Sequence, residues 1–153
     1  MAAHHVTSGA LVGAGATLTV PDQPFQFLDR ADALLKGAEA LSHLGPAESQ
    51  ATIFLASWCV ELSLKAYLAS KGLRKNELRH IQHNLTELWA EASKHGLPIP
   101  RITPRWCNLF SETHKTPYHQ RYPTDAAGSI ATNIQALIPE LTALLKLVRQ
   151  SLQ

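Results

Sequence analysis

The amino-acid sequence predicts an all-α protein, an up-and-down bundle of four to five helices. Apolar residues recur at intervals of three and four over several long stretches, which is the spacing of one face of an α-helix. Gly45-Pro46 and the segment 97–100, LPIP, supply the glycine and proline signals that end one helix and begin another. No stretch alternates convincingly between apolar and polar residues, so a sheet is not indicated.

The stretch Ala51–Lys71 predicts the central helix of this bundle. Its apolar residues leave only a narrow polar strip, so the helix must be buried on most sides. Glu61 and Lys65 interrupt that surface. Their spacing of four residues, with the acid first, favours an ion pair within the helix. The other helices are therefore expected to pack around this helix and its charge pair.

Further helical patterns flank the central one. Asn84 and Glu87 have the spacing of a capping box, in which each side chain binds the backbone amide of the other residue. Pro139 removes one backbone hydrogen bond and is expected to kink the last helix near Gln135. The predicted segments are a first helix from Phe25 to Leu44, a basic connection from Leu73 to His83 with room for one short turn, a helix from Asn84 to His95, a short helix after Thr103-Pro104, and a last helix from Thr124 or Asp125 to about Leu152.

Composition bounds the class of protein. At 153 residues the chain fits one domain, expected at residues 25–152 behind a flexible N-terminal tail, residues 1–24. Hydrophobic residues make up 45% and charged residues 17%, which is typical of a globular protein and not of a disordered one. The net charge of +2 is too small to indicate a nucleic-acid partner by itself. The three tryptophans, Trp58, Trp89 and Trp106, are expected in the core.

The cysteines and the hydropathy pattern bear on the compartment. Cys59 and Cys107 lie in apolar helical patterns and are expected to be reduced thiols, as in a cytoplasmic protein. The best candidate for a membrane span is interrupted by Glu61 and Lys65, so no membrane span is expected. The sequence therefore favours a cytoplasmic domain.

Three segments, in the same order along the chain, resemble the HEPN family of small helical bundles, whose name refers to nucleotide binding in higher eukaryotes and prokaryotes. The similar region covers about Phe25 to Leu147, and the segments are CVELSLKAYLASKG, HNLTELW and YHQRYP. The resemblance implies an all-helical domain, often a homodimer. Many relatives are RNA-cleaving toxins or RNA-processing factors, and others bind nucleotides or proteins, such as an antitoxin or a nucleotidyltransferase.

The resemblance also implies where a ribonuclease site would lie. The cleaving branch of the family carries an arginine, four to six residues and a histidine near the start of a late core helix. Arg121 stands near that place, but YPTDAAG follows it and contains no histidine. Arg74 and His80 have the required spacing, in the connection after the central helix, and are the candidate catalytic pair. A histidine and an arginine suit RNA cleavage without metal, since one takes the proton of the 2′-hydroxyl and the other stabilises the phosphorane.

Five residues are candidates for binding a ligand: Glu61, Lys65, His83, Arg121 and Tyr122. Each also has a structural interpretation. Glu61 and Lys65 would pair on a half-exposed strip, His83 would anchor its loop on the bundle, and Arg121 would lock its own loop by pairing with Glu61.

No metal and no cofactor are expected. His80 with His83, and His114 with His119, do not place two imidazoles on one helical face beside a carboxylate or thiolate. No glycine-rich phosphate loop of a recognised type occurs. Three hypotheses follow: a HEPN-like domain without catalysis that binds a nucleotide, RNA or a protein, a metal-independent endoribonuclease, and a purely structural interaction domain.

Overall fold

A computed structural model describes residues 23–45, 48–120 and 133–153. These residues form six α-helices and no strand, so the all-helical prediction is confirmed, with slightly more helices than the four to five expected. The added helix is α3, which occupies most of the basic connection predicted to hold one short turn. The helices are α1 (Gln23–Ser42), α2 (Ser49–Ser70), α3 (Lys75–Ile81), α4 (Leu85–Lys94), α5 (Arg105–His114) and α6 (Ile134–Ser151).

Helix α2 is the centre of the fold, as its apolar sequence predicts. It packs against each of the other five helices, and its most extensive contact is with α1. By length and composition alone α2 could cross a membrane, but 72% of its most apolar window is buried inside the fold. That burial is typical of the core helix of a bundle.

The hydrophobic core draws side chains from all six helices. Trp89 belongs to it, as expected, but Trp58 is only half-buried and lines two surface cavities, so its assignment to the core is wrong. Burial raises the pKa of both thiols, Cys59 and Cys107, to about 12. Representative core residues are Leu28, Leu35, Leu64, Leu68, Leu78, Leu88, Phe110 and Leu141.

Helix α1 ends two residues before the predicted Leu44. The Ser42 hydroxyl donates a hydrogen bond to the carbonyl of Glu39 (2.6 Å), and the Leu44 side chain is 67% exposed. No packing therefore stabilises a further turn. Gly45 has a φ of +104°, a conformation that glycine adopts without steric cost and that suits the end of a helix.

The start of α4 shows half of the predicted capping box. The side-chain oxygen of Asn84 accepts from the backbone N–H of Glu87 (3.2 Å). The predicted bond from the Asn84 backbone N–H to the Glu87 carboxylate is absent among the described contacts, because this N–H donates to the Ile81 carbonyl (3.2 Å). The Glu87 carboxylate lies instead near the Asn84 side-chain amide. This arrangement ties α4 directly to the end of α3 and sets the position of the intervening His83.

Helix α6 begins later than predicted. Asn133 is its N-cap and accepts a hydrogen bond from the backbone N–H of Ala136 (3.2 Å), so the helix starts at Ile134 and not near Thr124. Pro139 lies within α6, as expected. The predicted N-terminal tail up to residue 22, and residues 121–132, lie outside the described residues.

Candidate functional site

A carboxylate is buried in the middle of α2. The Glu61 side chain is 1% exposed, and the Lys65 ammonium, one turn further along the helix, donates to its Oε1 atom at 2.6 Å. Lys65 itself is only 12% exposed. The ion pair is therefore deeply placed, and not on the half-exposed strip that the sequence suggested.

Two histidines complete the environment of this carboxylate. His114, at the end of α5, contacts Oε2 of Glu61 through its Nε2 atom at 2.6 Å. His83, between α3 and α4, contacts Oε2 through Nδ1 at 2.9 Å and Oε1 at 3.1 Å. Because an ionised carboxylate only accepts hydrogen bonds, both imidazoles donate to it, which fixes the ring nitrogen that carries the proton in each. Glu61, Lys65, His83 and His114 are called the Glu61 cluster below.

The Glu61 cluster holds its acid in the ionised form. Burial alone would raise the pKa of the Glu61 carboxyl. The hydrogen bonds from His114 and His83, together with the charge and hydrogen bond of Lys65, outweigh burial and lower that pKa far below its ordinary value of 4.5. The pair of Glu61 and Lys65 is thus a neutral unit to which two imidazoles are anchored.

Aromatic rings surround the two histidines. The indole ring of Trp58 lies edge to face with His114 at 5.1 Å and with His83 at 5.4 Å between ring centroids. The ring of Tyr118 also lies edge to face with His83, with 5.6 Å between the ring centroids. Gln120 donates from its side-chain nitrogen to the hydroxyls of Thr113 (2.7 Å) and Ser57 (3.3 Å). The segment that follows α5 therefore folds back over α2 beside the Glu61 cluster.

A cavity of about 380 Å³ opens on the Glu61 cluster between α1, α2 and α3. Four cations line it: Arg30 from α1, Lys65 from α2, and Lys75 and Arg79 from α3. Among the described residues, the only acidic one in its wall is Glu61, which Lys65 already neutralises. Within the described residues, Arg30, Lys75 and Arg79 take part in no ion pair. This cavity, the basic pocket, is completed by Gln26, Phe27, Trp58, Leu62, Leu78 and His83.

Comparison with known protein families identifies the family of this chain. A model of the HEPN domain matches residues 26–150, which includes all six helices except the ends of α1 and α6. The chain belongs to the HEPN family. The family resemblance of the three quoted segments is thereby confirmed. Neither the comparison with curated proteins nor that with solved structures gave a match.

The HEPN fold brings together three of the five predicted ligand-binding residues. Glu61 contacts both Lys65 and His83 directly, and all three residues line the basic pocket. Arg121 and Tyr122 lie outside the described residues, so the predicted lock between Arg121 and Glu61 stays a prediction. His83 does anchor its loop on the bundle, through its bonds to Glu61, and it faces the pocket as well.

The predicted catalytic pair is placed differently. Arg74 and His80 are both exposed, and within the described residues no hydrogen bond or ion pair joins them. His80 lines a shallow depression with Lys71, Glu77 and His95, and Arg74 is not part of its wall. The structure therefore does not assemble this pair into a common site, and its catalytic role stays a prediction.

Several residues of the candidate site were missed by sequence reasoning. His114 carries a signal that could have revealed it, because it continues the buried stripe of α5 formed by Cys107 and Phe110. A histidine on such a stripe requires a polar partner inside the fold. Arg30 and Arg79 carry no such signal, since cations on the polar side of a helix usually face water.

A metal ion was not expected, yet Glu61, His83 and His114 place their ligand atoms within 4.8 Å of one another. The distances between His114 or His83 and the carboxylate, 2.6 and 2.9 Å, are those of hydrogen bonds. Two ligands of one zinc ion, each about 2.0 to 2.2 Å from it, lie about 3.3 Å apart in tetrahedral geometry. The Lys65 ammonium, 2.6 Å from Oε1 of Glu61, would also repel a metal cation bound to this carboxylate. The geometry is that of a hydrogen-bonded network, which sequence reasoning overlooked because it weighed only histidines close in the sequence.

Proposed function

We propose that this HEPN domain binds a nucleotide, free or as part of RNA, through a phosphate group held in the basic pocket. The observation that supports this most is the concentration of Arg30, Lys65, Lys75 and Arg79 around one cavity. The whole chain carries a net charge of only +2, so this clustering is local and not a property of the surface at large. A doubly charged phosphate complements such a wall.

The cations of the basic pocket differ in their role. Lys65 is held by Glu61 and is thereby fixed in place before any ligand arrives. Arg30, Lys75 and Arg79 have no acidic partner among the described residues, so a phosphate would gain their charge without first breaking an ion pair. Arginine also offers paired N–H donors that match two phosphate oxygens. A volume of about 380 Å³ falls within the size of small-molecule sites.

Removing two of these cations is expected to weaken phosphate binding strongly. A Lys75→Ala/Arg79→Ala variant should bind AMP, or a short single-stranded RNA, at least about tenfold more weakly, since each lost contact is a charge-assisted hydrogen bond. Isothermal titration calorimetry with each ligand measures the change. Comparing AMP with the RNA also tells whether the free nucleotide or the polymer is bound.

The matched control is Lys146→Ala, which removes one exposed cation from α6, far along the chain from the basic pocket. Its affinity for both ligands should stay within about twofold of the unchanged protein, as expected for a screened surface charge. Equal weakening by the control, or no binding of either ligand by the unchanged protein, would contradict the proposal.

A second candidate function is metal-independent RNA cleavage. It is favoured by one observation, the position of His83 at the pocket wall with its Nδ1 atom held by the buried Glu61 carboxylate. A histidine oriented in this way can take the proton of a ribose 2′-hydroxyl. The 2′-oxygen then attacks the adjacent phosphorus, and the cations stabilise the phosphorane. The bond between phosphorus and the 5′-oxygen breaks, which leaves a 2′,3′-cyclic phosphate and a 5′-hydroxyl that takes its proton from water.

The cleavage hypothesis predicts the result of a histidine comparison. With a fluorescent RNA and an excess of chelator, His83→Ala should lower the cleavage rate about 100-fold or more. His80→Ala is the matched control and should leave the rate unchanged. The opposite result would assign catalysis to the predicted pair of Arg74 and His80. Absence of cleavage and of ligand binding would leave the domain as a structural interaction module.

A further inference from the structure

An apolar cavity adjoins the basic pocket. It measures about 490 Å³ and lies between α1 and α2. Arg30, Trp58 and Leu62 line both cavities, so the two lie side by side and share these three residues as a common wall. The second cavity, here called the aromatic shelf, is completed by Ala33, Leu34 and Phe54.

The aromatic shelf is built from side chains that the core does not fully cover. Leu34, Phe54, Trp58 and Leu62 are all half-buried. Phe54 and Trp58 lie one turn apart on α2 and meet edge to face, with ring centroids 6.3 Å apart and planes at 66°. Two rings at such an angle form a corner that offers one ring face and one ring edge to a flat ligand.

We propose that the aromatic shelf holds the base of a nucleotide whose phosphate binds in the basic pocket. This inference rests on the proposed function and adds the part of the ligand that the phosphate does not explain. Because the two cavities share Arg30, Trp58 and Leu62 in their walls, one molecule lying across these residues would contact both cavities. The charge distribution sets the orientation of the nucleotide. Among the described residues, four cations line the basic pocket, whereas the shelf has one charged lining residue, Arg30, which the two cavities share.

Arg30 favours a base over an aliphatic occupant. A guanidinium beside an aromatic corner interacts with the π-face of a planar ring and with phosphate oxygens alike. An acyl chain or a leucine side chain would gain only the apolar area of the shelf and would leave the neighbouring cations without a partner. A nucleotide meets both requirements because its anionic group and its planar base are joined through one sugar.

The test compares AMP with ribose 5-phosphate, which carries the same sugar and phosphate without the base. The unchanged protein should bind AMP about five- to a hundredfold more tightly, the contribution expected of one base stacked on aromatic side chains. Phe54→Ala should remove most of that advantage and leave the affinity for ribose 5-phosphate unchanged. Phe54→Leu, which keeps a large apolar side chain but no ring, should retain only part of the advantage and guards against misfolding of the alanine variant.

The outcomes separate this inference from the proposed function. If AMP and ribose 5-phosphate bind with equal affinity, phosphate binding stands and the base site is wrong. Equal weakening of the binding of both ligands by Phe54→Ala and Phe54→Leu would also overturn the base site. Dimerisation that depends on Phe54, without any effect on AMP binding, would overturn it too, because the shelf would then join two copies of the chain. If neither AMP nor ribose 5-phosphate binds, the base site is wrong, and the titration with RNA decides the proposed function separately.

Discussion

Replacing Glu61 with alanine is expected to lower the free energy of unfolding by about 3 to 5 kcal/mol. The substitution removes the one acceptor that the Lys65 ammonium and the two imidazoles of His83 and His114 share. Lys65 is 12% exposed and His114 is fully buried, so water replaces the lost carboxylate only poorly. Urea denaturation followed by circular dichroism measures the change.

The chain offers a matched control for this experiment. Glu112 and Lys115 form an ion pair at 2.8 Å, but their side chains are 67% and 35% exposed. Glu112→Ala should therefore cost less than about 1 kcal/mol. An unchanged melting temperature of Glu61→Ala, or of Lys65→Ala, would show that the pair is not buried in solution.

Acidification is expected to destabilise the protein through Glu61. Because the pKa of this carboxyl is lowered in the folded state, the unfolded chain binds a proton at higher pH than the folded chain does. The stabilisation by Glu61 is complete above the ordinary pKa of 4.5 and is lost as the pH falls through and below that value. The free energy of unfolding should thus decrease more steeply with acid in the unchanged protein than in Glu61→Gln.

Urea denaturation of both proteins between about pH 7 and about pH 3 measures this difference. Among the described residues, the charged or titratable groups that face Glu61 are Lys65 on its own helix, His83 from the loop before α4, and His114 from α5. Glu112→Gln removes an exposed carboxylate and should leave the slope close to that of the unchanged protein. Parallel curves for Glu61→Gln and the unchanged protein below pH 4.5 would contradict the assignment.

The sequence predicts the fold better than the boundaries of its helices. The apolar surface of α2, which leaves only a narrow polar strip, has one stable location, the centre of a bundle, and the structure places it there. Boundaries depend on local competition that periodicity does not report. The backbone N–H of Asn84, for example, donates to the carbonyl of Ile81 instead of the Glu87 carboxylate. Asn133 likewise caps α6 well after the predicted start of that helix.

The contacts of the candidate site likewise differ in how well the sequence predicts them. Glu61 and Lys65 are paired by helix geometry alone, so their spacing of four residues was sufficient to predict the contact. His114 binds the same carboxylate from a position 53 residues further along the chain, and only the packing of α5 on α2 brings it there. The basic pocket likewise exists because α1 and α3 turn Arg30 and Arg79 toward one cavity, a property of their orientation and not of their sequence.

The burial of Cys59 and Cys107 makes the two sulfur atoms natural reporters of conformational opening. An alkylating reagent attacks the thiolate, and at neutral pH a thiol whose pKa is about 12 supplies almost none of it. Modification of either side chain therefore waits until its helix detaches from the bundle. Mass spectrometry of the peptides that contain Cys59 and Cys107 would then measure the rates at which α2 and α5 become exposed, each independently and without an engineered cysteine.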